Sequence, residues 1–295
     1  MEKFIADLIE QIGCRFDGEL KTVEMYKNNE LQHGISFVPK GSGDICCCPT
    51  CYVDELYQAF KNGKASMPDI IEHIINIVDR ALGDSMPTNI ELESLTNWEY
   101  VKDKVRPIVF GKENNKEMLE DYVTTDTKTD IAEAYEIVLG DDINKGRMSV
   151  KITKTHFEKW GIELSELKRV ARANGMKEYT FKNMSQVVAE IMGVPVDELP
   201  TVDFPLWLLS NKIGVHGAGN MFNKRILNKI AEQLGVEQFY MLPSSMHEVL
   251  ITNMETGPDE LKQMVTCVNA TEVPTQDILT NSVYLYDGNT VKVVA

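Results

Sequence analysis

The chain has 295 residues, 43% hydrophobic and 25% charged, the balance of a globular protein able to build its own core. Acidic residues outnumber basic ones 45 to 30 and the formal net charge is −15, which disfavours nucleic acid as a partner. No apolar run approaches the roughly 20 residues of a membrane helix. Met1-Glu2-Lys3-Phe4 passes straight into an amphipathic pattern without a leader's apolar region, so no membrane association and a cytoplasmic location are expected.

Phe4, Ile5, Leu8, Ile9 and Ile12 recur at helical spacing and predict a first helix over 1–14. Lys21 to Tyr26 and Leu31 to Val38 predict two strands joined by a turn at Asn28-Asn29-Glu30. A loop over 40–44 and a short helix over 52–61 follow. Ser66-Met67-Pro68-Asp69 is a capping box, and the stripe Ile70, Ile71, Ile74, Ile77, Val78 makes the next helix the clearest in the chain. A further helix is expected over 91–104.

From Arg106 strands are expected at 107–110, 121–124, 131–139 and 147–152, although Ala132-Glu133-Ala134 would also suit a helix, with Asp141-Asp142 in a solvated turn. Two helices follow, over 154–160 and 164–174, the second closed by Gly175. Residues 176–204 read as an excursion with one helix near 183–192. The last 90 residues give a strand at 205–210, a glycine loop at 214–220, a helix over 221–234 capped by Asn220, strands at 238–242 and 248–252, a helix over 258–268 and a terminal hairpin at 283–294. The expectation is an α+β fold of two lobes, 1–104 and 105–295. The second lobe runs β-α-β-β-α-β-β.

Cys46, Cys47, Cys48 and Cys51 include a Cys48-Pro49-Thr50-Cys51 spacing known from zinc knuckles and thiol redox motifs. A structural zinc needs four ligands, and no second pair stands at suitable spacing, so no metal and no cofactor are expected. The plainer reading is that small cysteines pack beneath the following helix. Gly217 and Gly219, with Asn220, open a helix after an apolar strand, a place where backbone N–H groups hold anions. Their spacing matches neither a Walker loop nor a dinucleotide fingerprint.

If the strands at 205–210 and 238–242 run the same way in one sheet, their ends share an edge. That edge would gather His216, Asn220, Ser244, Ser245, His247 and Glu248. Histidine supplies a near-neutral base, and serine a nucleophile where a base reaches it. Against this, His247 and Glu248 adjoin in an expected strand and would face opposite ways.

Ser210-Asn211-Lys212-Ile213-Gly214-Val215-His216-Gly217-Ala218 and Met241-Leu242-Pro243-Ser244-Ser245-Met246-His247-Glu248-Val249-Leu250 resemble an uncharacterised bacterial family, a domain of unknown function found in gut bacteria and often beside mobile elements. The resemblance covers most of the chain, including Pro49-Thr50 before Tyr52-Val53-Asp54-Glu55, and Val105-Arg106-Pro107. That family's segment before the tyrosine is not cysteine-rich, which counts against a redox or zinc role here. A fainter likeness joins Arg106-Pro107-Ile108-Val109 and the His247-Glu248-Val249-Leu250-Ile251 run to a second uncharacterised bacterial family. The resemblance implies an ordered α+β fold and no activity.

The function expected is that of a non-enzymatic interaction or accessory protein, its partner a protein. One alternative is a hydrolase-like or ligand-binding enzyme using His216 and His247 with Ser244 or Ser245. Another is an acidic mimic of nucleic acid.

Overall fold

The computed structural model describes residues 1–41, 48–83, 92–142, 146–198 and 205–295. The chain forms two compact units, Met1–Ser94 and Leu95–Ala295. Among the described residues no helix is long and apolar enough to cross a membrane.

The first unit runs α1 (Glu2–Gly13), β1 (Gly18–Lys27), β2 (Glu30–Pro39), β3 (Thr50–Tyr52), α2 (Asp54–Lys61) and α3 (Met67–Gly83). Its strands form an antiparallel sheet in the order β1-β2-β3. The tight β1–β2 turn is where the sequence places it, with Asn29 in the left-handed region at φ 67°; asparagine tolerates that region better than most residues. The capping box is reciprocal: Ser66 N donates to Asp69 Oδ2 at 3.2 Å, and Asp69 N to Ser66 Oγ at 3.4 Å. Phe4, Leu8 and Ile12 of α1 are buried with Ile70, Ile74 and Val78 of α3 and with Ile35 and Phe37 of β2. Full burial of one such side chain stabilises by about 1.5–3 kcal/mol. Cys51 sits buried in β3 within this core, while Cys46 and Cys47 lie outside the described residues.

The helix expected over 91–104 breaks into a 3-10 turn (Leu92–Thr96), α4 (Trp98–Val101) and a second 3-10 turn (Lys102–Lys104), the last two in the second unit. Asn97 causes the restart, its side chain accepting from Glu99 N. Then come β4 (Val105–Gly111), α5 (Lys116–Asp121), β5 (Thr125–Asp126), β6 (Ile131–Asp142) and β7 (Gly146–Lys151). The strand expected at 121–124 is instead the end of α5 and the approach to β5. β6 is the centre of this sheet: β4 pairs along one side, and β5 and β7 share the other, all antiparallel. Asp141 belongs to β6 rather than to a solvated turn, because Arg147 across the hairpin holds it.

α6 (Lys154–Trp160) and α7 (Leu164–Glu178) follow. α7 does not stop at Gly175. A Cβ there would lie 2.3 Å from Asn220 Oδ1, so the glycine serves close packing and not a cap. The excursion holds a strand as well as a helix: β8 (Tyr179–Asn183) precedes α8 (Met184–Met192). The remainder is β9 (Leu206–Asn211), a 3-10 helix (Gly217–Phe222), α9 (Lys224–Leu234), β10 (Phe239–Leu242), β11 (Val249–Thr252), α10 (Pro258–Thr271), β12 (Tyr284–Tyr286) and β13 (Val291–Val293).

These strands form a second sheet in the order β13-β12-β10-β11-β9-β8, antiparallel throughout. β9 and β10 both run opposite to β11, which lies between them, so they run the same way. Ile226, Leu227 and Ile230 of α9 close the core over Phe239, Met241, Ile251 and Tyr284. With helices and antiparallel sheets in each unit, the fold is α+β.

Candidate functional site

Because β9 and β10 point the same way, the segments leaving them meet. The imidazoles of His216 and His247 stack with centroids 5.8 Å apart and planes 12° from parallel. Each ring is held by a carboxylate. His216 Nδ1 lies 2.9 Å from Glu136 Oε2, and His247 Nε2 lies 3.2 Å from Asp277 Oδ1. The backbone N–H of His216 donates to His247 Nδ1 at 3.2 Å. That nitrogen therefore carries no proton in the neutral ring, and Nε2–H donates to Asp277. Both nitrogens of His247 are thus occupied. His216, with Nδ1–H turned to Glu136, keeps its Nε2 lone pair.

Glu136 is the hub. Its buried carboxylate accepts from Ser149 Oγ at 2.7 Å, Lys151 Nζ at 2.8 Å and Arg147 at 3.3 Å, besides His216. Arg147, also buried, reaches Asp141 and Glu178, and Glu178 pairs with Arg106 at 3.0 Å. Burial alone would raise the Glu136 carboxyl, but His216 and Lys151 outweigh it and hold it well below the usual carboxylate range. Burial lowers the His216 imidazole; Glu136 opposes this, and the net direction is down. His216 is therefore neutral at pH 7 and Glu136 ionised.

The serines are engaged with backbone. Ser245 Oγ accepts from His247 N at 3.0 Å. Ser244 uses its main chain, receiving Leu279 N at 2.8 Å. Among the described residues neither hydroxyl bonds to an imidazole. Glu248, which precedes β11 rather than opening it, has its carboxyl raised by burial, against His247 and a hydrogen bond from Ser245.

Gly217 and Gly219 do not have positive φ. They are needed for space: a Cβ on Gly217 would lie 2.3 Å from Ser210 Oγ, and one on Gly219 would lie 1.9 Å from the Pro107 carbonyl oxygen. The close approach turns the segment into a buried 3-10 helix, and α9 starts at Lys224 with Asn223, not Asn220, at its N-cap. Asn220 is buried against Gly175 of α7.

Sequence reasoning missed a second place. A cleft of about 660 Å³ opens between the β5–β6 turn, α7, the start of α9 and the β12–β13 hairpin. Five cations line it, Lys128, Lys168, Arg172, Lys224 and Lys292, against two carboxylates, Asp126 and Glu133. Glu133 is fully buried and takes Arg172 in a two-pronged pair at 3.0 and 2.9 Å. Lys292 pairs with Asp287. Lys224 bonds to the neutral Asn289 amide. Among the described residues Lys128, Lys168 and Lys224 have no carboxylate within ion-pair distance. Lys168 stands one helical turn from Arg172, and burial together with that like charge lowers its pKa despite Glu133. The α9 N-terminus adds its dipole, because Asn223 donates its side-chain N–H to the Arg172 carbonyl and gives no side-chain cap.

The sequence held one signal of this place, the i, i+4 pair Lys168 and Arg172. Glu133 and Glu136 had another, two acids in an otherwise apolar strand. Among the described residues no group of three or more His, Cys, Asp or Glu is placed to hold a metal ion.

No curated protein and no solved structure matches the chain. A family model does, over residues 1–288, and it is the resemblance that the histidine-bearing strings carry: the chain belongs to DUF5688, a family of unknown function.

Proposed function

We propose that the protein is a non-enzymatic accessory protein that binds an anionic small molecule in the cation-lined cleft of its second unit. One observation carries this reading. In a chain of net charge −15, three lysines without carboxylate partners converge with Arg172 and an uncapped helix start on one concavity. Gathering like charges costs free energy that an anion returns. The volume falls in the range of small-molecule sites, about 300–1,000 Å³.

The hydrolase alternative finds less support. His247 has no nitrogen to spare, and among the described residues neither serine hydroxyl bonds to an imidazole. The mimic alternative is weakened by a cleft of the opposite sign.

Titration calorimetry with tripolyphosphate tests the reading. Binding is expected at low salt, weakening as salt rises. The pair Lys168→Glu and Lys224→Glu should abolish it, while Lys154→Glu, on the exposed face of α6, should not. No heat with the native protein, or binding indifferent to the cleft pair, would overturn it.

A further inference from the structure

The cleft is not lined by charge alone. Phe222, partly exposed just before α9, and Val291 and exposed Val293 on the edge strand β13 give it an apolar side. The polar lining is largely spent. Thr125 Oγ1 is bonded to the Tyr135 hydroxyl at 2.6 Å. Thr127 donates to the Ile131 carbonyl, and Thr290 is tied to Asp287. Asn289 is taken by Lys224. What remains open to a ligand is cations, the start of α9 and apolar surface with the Phe222 ring, since the other lining aromatic, Tyr286, is buried.

Each class selects a part of the ligand. Unpaired lysines and a helix start favour an anion of high charge density such as phosphate. A bare anion would leave the Phe222 and Val293 surface wet. A sugar phosphate without an aromatic ring would bring hydroxyl groups that the threonines, already bonded, are poorly placed to meet, and nothing to cover the apolar side in return. An aromatic body satisfies the apolar side and stacks on a ring.

We infer that the cleft takes an organic phosphate with an aromatic body, its phosphate held by Lys128, Lys168, Arg172 and Lys224 and its ring set against Phe222. This rests on the anion-binding reading above and narrows it to one ligand class.

The test is calorimetry with three probes, pyrophosphate, ADP and glucose 6-phosphate, on the native protein and on Phe222→Leu, which keeps an apolar side chain but removes the ring. A melting curve confirms that the variant is folded. ADP should bind about tenfold or more tighter than pyrophosphate, the increment of one ring on one aromatic. Glucose 6-phosphate should bind more weakly than ADP. In Phe222→Leu the ADP advantage should shrink several-fold while pyrophosphate affinity holds. ADP no tighter than pyrophosphate, or an advantage that survives Phe222→Leu, overturns the aromatic class and leaves the anion site standing. If none of the three binds, both readings fall.

Discussion

Glu133 and Glu136 stand three residues apart on β6, both fully buried, and face opposite ways. Glu133 meets Arg172 at the cleft. Glu136 meets His216, Lys151 and Arg147 on the other face. One strand thus supplies the anchor of both polar centres. Glu136→Gln leaves three basic side chains around a neutral amide. Breaking a buried pair from one side costs about 3–5 kcal/mol. Urea unfolding should show a lower midpoint at unchanged slope. A loss below about 1 kcal/mol would mean that the array is not held by this carboxylate.

The same array makes stability depend on pH in a fixed direction. The folded pKa of His216 lies below its ordinary 6.5, so on acidification the unfolded chain takes the proton first. The folded pKa of Glu136 lies well below its ordinary 4.5, with the same sign. The array's contribution to stability should be full above pH 6.5, fall as the unfolded histidine protonates, and fall again below pH 4.5. His216→Asn, which tolerates the left-handed φ of 57° at this position, should shrink the upper step, to which His156 also contributes, and weaken the lower one, because His216 helps to hold the Glu136 carboxyl down. Unfolding midpoints measured from about pH 7 to about pH 4 check it. An unchanged upper step would remove His216 as its source.

Periodicity carries the elements that bury one face. The capping box at Ser66 and the stripes of α1, α3 and α9 are legible because apolar side chains recur every turn. The shared edge of β9 and β10 was also legible, since the helix between them, α9, returns the chain and lets the second strand run the same way as the first. The errors lie where tertiary contact overrides local pattern. Gly175 looks like a helix stop and is a packing site for Asn220. Asn220 looks like a cap and is buried one turn too early. The partners of His216 were hidden because Glu136 is 80 residues away in sequence. Only pairing of β6 with β4 and β7 brings that carboxylate to the histidine loop. The cleft escaped for the same reason: its five cations come from four separate parts of the chain, and only the two on α7 stand at helical spacing.

The cysteines predict a labelling order. Cys14 and Cys267 are exposed, whereas Cys51 is buried in β3 and burial raises its thiol. Thiolate, not thiol, reacts. Alkylation followed by mass spectrometry should mark Cys14 and Cys267 early and Cys51 only on unfolding. Early modification of Cys51 together with Cys48 would restore the redox reading of the Cys48-Cys51 spacing.

The two serines separate a structural role from a chemical one. Ser245→Ala removes the acceptor of His247 N–H, a loss of about 1 kcal/mol. Ser244→Ala removes a hydroxyl whose backbone does the bonding, and the change should stay within about 0.5 kcal/mol. Neither should alter tripolyphosphate binding. A turnover activity with an ester substrate that vanishes in one of them would return the hydrolase alternative.

Lys168 sets stability against binding. Its lowered pKa means that burial and Arg172 disfavour its charge in the folded chain more than Glu133 favours it. Lys168→Met keeps the stem that covers apolar surface and deletes the charge. Without ligand the variant should therefore melt slightly higher, by the roughly 0.2–0.5 kcal/mol of a like-charge pair at this spacing. With tripolyphosphate it should melt lower than the native protein, because bound anion no longer stabilises it to the same degree. A residue kept only for structure would move both curves the same way. Opposite displacements of the free and loaded curves are what a lysine held for an anion must give, and parallel ones would take Lys168 out of the site.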